Sequence, residues 1–297
     1  MDKQVKKKII TQNMTLCEFG LLKNLPLIKP IKHCINNNLQ IPDTNNFCEV
    51  YVVKDIQPLS IAREYIFKKM NPVILNVVNG EFSGNNIQSS ENMYDDTINL
   101  RTNFHKTLSS NIYPLRKSEV AYSQFLTVFR NEYMMILNPQ EFFRINVITA
   151  SPISEPKMNN DSFELDDYIS TKDTIENIFQ VAVQFNHDVL ILSDFGCATD
   201  KNPINDIVDI FNLCILKYGS LLKFVIFALS VKNEIEEAIY SYFLKDIIKP
   251  QTLVSNNDIM NNVSDQMPNQ MTNHQMPNQL TNHQMPNQLT NHQMPNQ

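Results

Sequence analysis

The chain has 297 residues, of which 42% are hydrophobic and 19% charged, and its formal net charge is -6. This composition allows a buried core and argues against nucleic-acid binding, because nucleic-acid-binding proteins usually carry a basic patch or domain. Apolar runs fall short of the ~18 residues that a membrane span needs, the N-terminus lacks the apolar stretch of a secretion signal, and the five cysteines form no C-x-x-C pair. We therefore expect a soluble cytoplasmic protein without a disulfide framework or a zinc site.

Residues 1–45 have a mixed pattern that predicts a partly helical N-terminal extension. The helix candidate is Asn13 to Leu22, with Thr15 as its N-cap. The basic cluster at Lys3 and Lys6 to Lys8 is typical of a solvated chain end. The asparagine-rich stretch from Cys34 to Phe47 is typical of a loop.

Between residues 46 and 250, short apolar runs alternate with stretches of helical periodicity. The predicted strands are Glu49–Lys54, Val73–Val78, Leu126–Arg130, Phe143–Ala150, Asp188–Leu192 and Leu222–Leu229. The predicted helices are Leu59–Met70, Asn92–His105, Thr174–Phe185, Ile204–Leu216 and Ile235–Phe243. This alternation predicts βαβ units, a mixed and mostly parallel central sheet covered by helices on both faces, and hence a three-layer α/β/α domain.

Residues 251–297 end in a nine-residue repeat that reads DQMPNQMTN, HQMPNQLTN, HQMPNQLTN and HQMPNQ from Asp265 onward. Each unit holds a proline and one or two apolar residues, too few to offset the entropy of ordering the chain. We expect a disordered tail, and the sequence identifies no partner for it. Metal binding by His274, His283 and His292 is the alternative.

Ligands of open α/β sheets bind outside the carboxyl ends of the strands. Two polar, turn-rich segments fall at such ends, Asn79 to Asp96 and Ser193 to Pro203. These two segments are therefore the candidate ligand-binding loops.

The loops and their strands carry a series of short motifs. In chain order these are Val73-Ile-Leu-Asn76, Ser83-Gly84-Asn85-Asn86, Glu91-Asn-Met-Tyr-Asp95-Asp96, Leu126-Thr-Val-Phe-Arg130-Asn131, Val147-Ile-Thr-Ala-Ser-Pro152 and Ser193-Asp-Phe-Gly196-Cys197-Ala-Thr-Asp-Lys-Asn202-Pro203. In order and spacing they resemble the microbial-type poly(ADP-ribose) glycohydrolase family, a relative of the macrodomains, from about Glu49 to Phe243. That family shows L-N, P-G-G-G, G-A-x-A-Q-E-E, V-x-V-F-R-D, V-I-T-A-x-x-P and G-A-x-G-C-G-x-F-x-N-P.

The resemblance implies a macrodomain-like fold that recognises ADP-ribose or an ADP-ribosylated protein, with no cofactor and no metal. A diphosphate needs backbone N–H groups that small residues bring close. The residues implied to bind the ligand are Asn76, Asn79, Gly84, Asn85, Asn86, Gly196, Cys197, Ala198 and Asn202. Asn76 and Asn79 are equally typical of caps at a strand end. Arg130 belongs to the family motif, and it is also typical of a salt bridge that anchors a strand. Asp194 would repel a diphosphate unless its carboxylate caps a turn.

Asp95 and Asp96 stand where the family has its E-E pair, and Asp96 matches the acid that protonates the leaving oxygen. Asp is shorter than Glu by one CH₂, about 1.5 Å of reach, and a misplacement of ~1 Å can cost on the order of 10²-fold in rate. Two solvated acids in a first helical turn give the same pattern. Three functions stay open: a glycohydrolase with a degenerate catalytic motif, an inactive ADP-ribose or nucleotide binding module, and an interaction protein whose pocket has decayed.

Overall fold

The structure is a computed structural model that describes residues 1–25, 29–36, 39–42, 46, 48–78, 97–108 and 112–248. The repeat tail and the loop from 79 to 96 lie outside these ranges. The helices are α1 (Lys3–Glu18), α2 (Pro58–Phe67), α3 (Thr97–Arg101), α4 (Leu165–Gln184), α5 (Ile204–Tyr218) and α6 (Glu234–Asp246). The strands are β1 (Ile31–Cys34), β2 (Glu49–Lys54), β3 (Pro72–Val77), β4 (Glu119–Val128), β5 (Phe143–Ala150), β6 (Met158–Asn159), β7 (Ser162–Phe163), β8 (Val189–Leu192) and β9 (Phe224–Leu229).

Seven strands form the central sheet in the order β1-β4-β5-β3-β8-β9-β2. Strands β5, β3, β8, β9 and β2 pair in parallel, whereas β4 is antiparallel to both β5 and β1. The inner strands β3, β5 and β8 are almost wholly buried, as expected of parallel strands covered on both faces. The predicted mixed, mostly parallel sheet is therefore confirmed.

Helices cover the sheet on both faces and make the three-layer arrangement that the sequence predicts. On one face α4, α5 and α6 pack against alternate strand residues such as Val73, Leu75 and Leu190. On the other face α2, α3 and nearby residues such as Phe104 and Leu115 pack against the intervening residues, including Ile74. Because successive strand side chains point to opposite faces, each strand serves both cores. Across the described ranges every helix is too short or too polar to cross a lipid bilayer.

The predicted helix from Asn13 to Leu22 is wrong in its bounds, because α1 begins ten residues earlier and ends at Glu18. The cap is Asp2, whose side chain accepts a hydrogen bond from Gln4 N, and Thr15 lies inside the helix. The buried face of α1 carries Ile10, Asn13 and Cys17, which follow the helical period. The lysines expected at a solvated chain end lie in the first turns of α1, where Lys7 and Lys8 are exposed.

Strands β1, β6 and β7 and the first part of β4 escaped the sequence prediction. Strand β1 ends at Cys34 and is polar and exposed in part, so it has no apolar pattern to detect. It is held from α4, where Asn177 Nδ2 donates to the His33 carbonyl oxygen at 3.0 Å. The N-terminal half of β4, from Glu119 to Phe125, is also strand, and a β-bulge between Ser123 and Leu126 interrupts its alternation.

Candidate functional site

The candidate site lies where β3, β5 and β8 end side by side. Asn76 on β3 is in register with Thr149 on β5, and Ile74 is in register with Ile191 on β8. The loop after β8 contacts the chain that leaves β5, because Asn202 Nδ2 donates to the Ile153 carbonyl oxygen at 3.0 Å. The structure thus brings Asn76, Gly196, Cys197, Ala198 and Asn202 to one edge of the sheet. The other expected residues lie outside the described residues: Asn79, Gly84, Asn85, Asn86, Asp95 and Asp96.

Gly196 is required by the conformation of the loop after β8, which we call the β8 loop (residues 193–203). Its φ is +85°, and a Cβ there would lie 2.7 Å from Asn202 Nδ2 and 2.9 Å from Pro152 Cβ. The preceding residue, Phe195, also has a positive φ of 47° although it is not a glycine, and its ring is fully buried. Burial of the ring therefore helps to hold the loop in a conformation that is costly for that residue.

Asn202 braces the β8 loop from within. Its side chain is buried, and Nδ2 lies 3.4 Å from the Gly196 carbonyl oxygen as well as 3.0 Å from that of Ile153. The same carbonyl oxygen of Gly196 accepts from the backbone N–H groups of Asp200 and Asn202. The side-chain amide nitrogen of this asparagine therefore serves the shape of the loop.

Asp194 caps the turn of the β8 loop. Its Oδ2 accepts a hydrogen bond from Ala198 N at 2.7 Å, and its carbonyl oxygen accepts from Cys197 N at 3.2 Å. Burial raises the pKa of this carboxyl, and the nearby charges of Asp200 and Glu236 raise it further. The carboxylate thus accepts the hydrogen bond of Ala198 N, a residue that the family resemblance assigns to ligand binding.

Cys197 is a buried packing residue. Its side chain belongs to the core that α5 shares with the sheet, and burial together with the charge of Asp194 raises the pKa of its thiol well above the usual value. A thiolate nucleophile is disfavoured there. Its backbone N–H already donates to Asp194, so its expected contribution to ligand binding is reduced.

Asn76 carries the most suggestive polar group of the site. Its side chain is buried, and the amide nitrogen has no hydrogen-bond partner in the described part of the chain. An unsatisfied buried donor costs about 1–3 kcal/mol, so such a group calls for an explanation. Its position beside the buried Thr149, at the end of a strand, makes a ligand hydroxyl or carbonyl a suitable acceptor.

Tyr113 and Thr149 belong to the same region and escaped the sequence prediction. The Tyr113 hydroxyl lies against the hydroxyl groups of Thr149 and Thr107, and burial raises its pKa to about 12. The tyrosine lies outside the strands, so no periodicity marks it. The pairing of β3 with β5 sets Thr149, which this hydroxyl group contacts, in register with Asn76.

Arg130 has a structural role, but its partners are neutral oxygen atoms and not the acidic side chain that a salt bridge needs. Its Nε donates to Asn13 Oδ1 at 2.7 Å and its Nη2 to Gln12 Oε1 at 2.9 Å, while Nη1 donates to the Met134 carbonyl oxygen. The role expected from the sequence was a salt bridge that anchors a strand. The anchoring exists, but it runs to α1 through neutral oxygen atoms.

The described residues contain no group of three side chains suited to holding a metal ion. No protein-family model and no curated protein matches the chain.

The fold does match solved structures. Poly(ADP-ribose) glycohydrolase from Thermomonospora curvata is similar with a TM-score of 0.64 and 13% identity, over 80% of this chain and 98% of that chain. The same enzyme bound to the inhibitor ADP-HPD gives a TM-score of 0.58 and 14% identity, over 80% of this chain and 98% of that chain. Poly(ADP-ribose) glycohydrolase from Deinococcus radiodurans in complex with ADP-ribose gives a TM-score of 0.54 and 14% identity, over 82% of this chain and 90% of that chain. The chain therefore has the macrodomain-like α/β/α fold of these proteins, as its motifs predict.

Proposed function

We propose that this chain recognises ADP-ribose, free or attached to a protein, at the edge where β3, β5 and β8 end. The observation that carries the proposal is the β8 loop, in which Gly196 keeps a positive φ against Pro152 and Asn202. This is the loop that the family motif assigns to the diphosphate. It stands on a fold shared with a glycohydrolase whose structure contains ADP-ribose.

The described residues support distinct roles in this proposal. The free amide nitrogen of Asn76 is placed to donate to a ribose hydroxyl or ring oxygen, with Thr149 and Tyr113 beside it. Gly196 allows close approach of the chain to the diphosphate, whereas Cys197 and Asn202 hold the loop. The expected contacts from Asn79, Gly84, Asn85 and Asn86 remain part of the proposal, which needs neither a cofactor nor a metal.

The finer proposal is hydrolysis of a ribosyl–ribose bond with Asp96 as the acid and Asp95 as its neighbour. In this reaction the acid protonates the leaving oxygen while the anomeric carbon gains oxocarbenium character, and water completes the cleavage. The short reach of Asp predicts slow turnover. Release of ADP-ribose from poly(ADP-ribose) by the full chain, abolished by Asp96→Asn, supports the hydrolase. Binding without release in the unsubstituted chain supports the inactive binding module instead.

Thermal unfolding with and without ligand tests the recognition itself. A ligand at about 100 times its Kd stabilises the folded state by about 2.7 kcal/mol, which raises Tm measurably. ADP-ribose should raise Tm more than AMP does, and Asn76→Ala should reduce the difference. Equal effects of the two ligands, or none, would mean that the edge no longer recognises ADP-ribose and that an interaction role with a decayed pocket is the better account.

A further inference from the structure

We propose that Asp194 is a specificity-determining residue that occupies the anion position of the β8 loop and weakens the binding of phosphorylated ligands there. The inference rests on the proposed function for the identity of the ligand, ADP-ribose. Its physical basis is a competition between two anionic acceptors for one backbone donor.

The donor in question is the backbone N–H of Ala198. Asp194 Oδ2 lies 2.7 Å from that nitrogen, within the range of a charge-assisted hydrogen bond. A phosphoryl oxygen that approached the loop would need the same N–H. One N–H cannot donate a full hydrogen bond to both oxygen atoms. The ligand must therefore displace the carboxylate or bind without a hydrogen bond from Ala198 N.

Other amides of the β8 loop are also engaged within the loop. Cys197 N donates to the Asp194 carbonyl oxygen, Asp200 N donates to that of Gly196, and Phe195 N donates to Ser193 Oγ at 3.3 Å. Freeing Ala198 N therefore adds a donor to the site without breaking these bonds.

The charges near Asp194 further weaken the binding of phosphorylated ligands at the β8 loop. Asp200 lies on the same loop and Glu236 lies on α6, and both act on the Asp194 carboxyl in the sense that raises its pKa. The cation nearest in sequence, Lys201, pairs at 3.6 Å with Glu155, and both of those side chains are 79% exposed. A diphosphate near this loop consequently meets a negative field, which lowers both its affinity and its rate of association.

Two substitutions separate the two parts of the argument. Asp194→Ala removes the carboxylate and frees Ala198 N, as in the family motif, which has alanine at this position. Asp194→Asn removes the charge but keeps an oxygen that can accept from Ala198 N. Asp161→Asn, at an exposed residue in the turn between β6 and β7, is the control for net charge.

The first measurement uses inorganic pyrophosphate as the probe and the backbone amide signal of Ala198 in the ¹⁵N-labelled full chain. Asp194→Ala should shift this signal on titration and bind pyrophosphate about tenfold or more tightly than the unsubstituted chain, with Asp194→Asn between the two. Asp161→Asn should match the unsubstituted chain. Equal affinities for pyrophosphate across all four proteins would overturn the inference.

Titration of the same four proteins with ADP-ribose separates this inference from the proposed function. A gain with pyrophosphate but no binding of ADP-ribose by any of the four would retain the role of Asp194 and overturn ADP-ribose as the ligand. Binding of ADP-ribose with equal affinity by the unsubstituted chain and both Asp194 variants would overturn the inference and retain the function. Tighter binding of ADP-ribose by Asp194→Ala supports both.

Discussion

Arg130 donates from Nε to the side-chain oxygen of Asn13 across 2.7 Å, although 117 residues separate them in the chain. Both side chains are buried, and Asn13 Nδ2 donates in turn to the Leu100 carbonyl oxygen at 3.0 Å. The N-terminal helix is thereby tied to α3 and to the chain that follows β4. The burial of a guanidinium whose hydrogen-bond acceptors are neutral oxygen atoms is stabilised strongly by each of these hydrogen bonds.

Asn13→Ala should lower the free energy of unfolding by about 2–3 kcal/mol, because it leaves the Arg130 Nε and the Leu100 carbonyl oxygen without their partner. Urea unfolding followed by circular dichroism measures the change. Thr11→Ala is the matched control, since Thr11 is exposed on the same helix and, among the described residues, its hydroxyl group bonds only to the Lys7 carbonyl oxygen. That control should change stability by less than about 0.5 kcal/mol, and equal effects of the two substitutions would contradict the anchoring role.

His187 predicts a dependence of stability on pH. Its Nδ1 lies 3.1 Å from the Asn71 carbonyl oxygen, which can only accept, so Nδ1 carries the proton. Its Nε2 therefore accepts from the Tyr122 hydroxyl at 2.7 Å. Burial lowers the pKa of His187 from 6.5 to about 4. The imidazole is neutral when folded, and its contribution is present above pH 6.5 and lost as the pH falls toward 4.

The loss from His187 amounts to about 3 kcal/mol, since each pKa unit corresponds to about 1.4 kcal/mol. His187→Gln should be less stable than the unsubstituted chain at pH 7 but should lose less stability between pH 7 and pH 4.5. His105, whose pKa burial also lowers to about 4, keeps part of the dependence in that variant. His283→Gln in the repeats should retain the full dependence, and an unchanged slope in His187→Gln would be evidence against the buried neutral imidazole.

Gly196→Ala should destabilise the domain by about 2–4 kcal/mol and abolish ligand binding, because a Cβ at φ +85° would collide with Asn202 and Pro152. Thr199→Ala is the control in the same loop, since that side chain is exposed and, within the described part of the chain, bonds only to Asp200. Thermal unfolding of both variants compares them directly. A Gly196→Ala variant as stable as Thr199→Ala would show that the loop adopts another conformation.

The affinity for pyrophosphate should rise as the pH falls toward the raised pKa of Asp194, because the protonated carboxyl no longer repels the anion. Burial raises the pKa of Asp194, the hydrogen bond from Ala198 N lowers it, and the charges of Asp200 and Glu236 raise it. Asp194→Ala should bind with a smaller dependence on pH than the unsubstituted chain. Identical pH profiles for the two proteins, measured by titration from pH 7.5 to about 5, would assign the dependence to the other acids.

The apolar runs were enough to predict the sheet. Strands β2 and β5 have the predicted bounds because β2 holds four apolar residues in succession and β5 is rich in apolar and β-branched residues, as expected in a covered sheet. Strand β1 could not be found in this way, since its stability comes from β4 and from Asn177 on α4. Sequence alone locates most of the elements that bury apolar surface, whereas it misses β1, which is held by polar contacts from distant residues.

The candidate site likewise contains residues that the sequence places correctly and residues whose roles only the structure shows. Because parallel strands end at a common edge, the order of strands and loops along the chain is enough to place Asn76 and Gly196 together. The roles of Asp194 and Asn202 depend on hydrogen bonds to Ala198 and Ile153, which no spacing reveals. Tyr113 joins the site through the contact of its hydroxyl group with Thr149 on β5, which the sequence pattern does not reveal.

Calorimetric titration of the full chain with ADP-ribose, with AMP as the comparison, tests the central claim most directly. The account predicts a Kd in the micromolar range, about -8 kcal/mol, with weaker binding of AMP. The absence of heat with ADP-ribose at millimolar concentration, together with an unchanged Tm, would contradict it and leave a glycohydrolase fold that no longer recognises ADP-ribose.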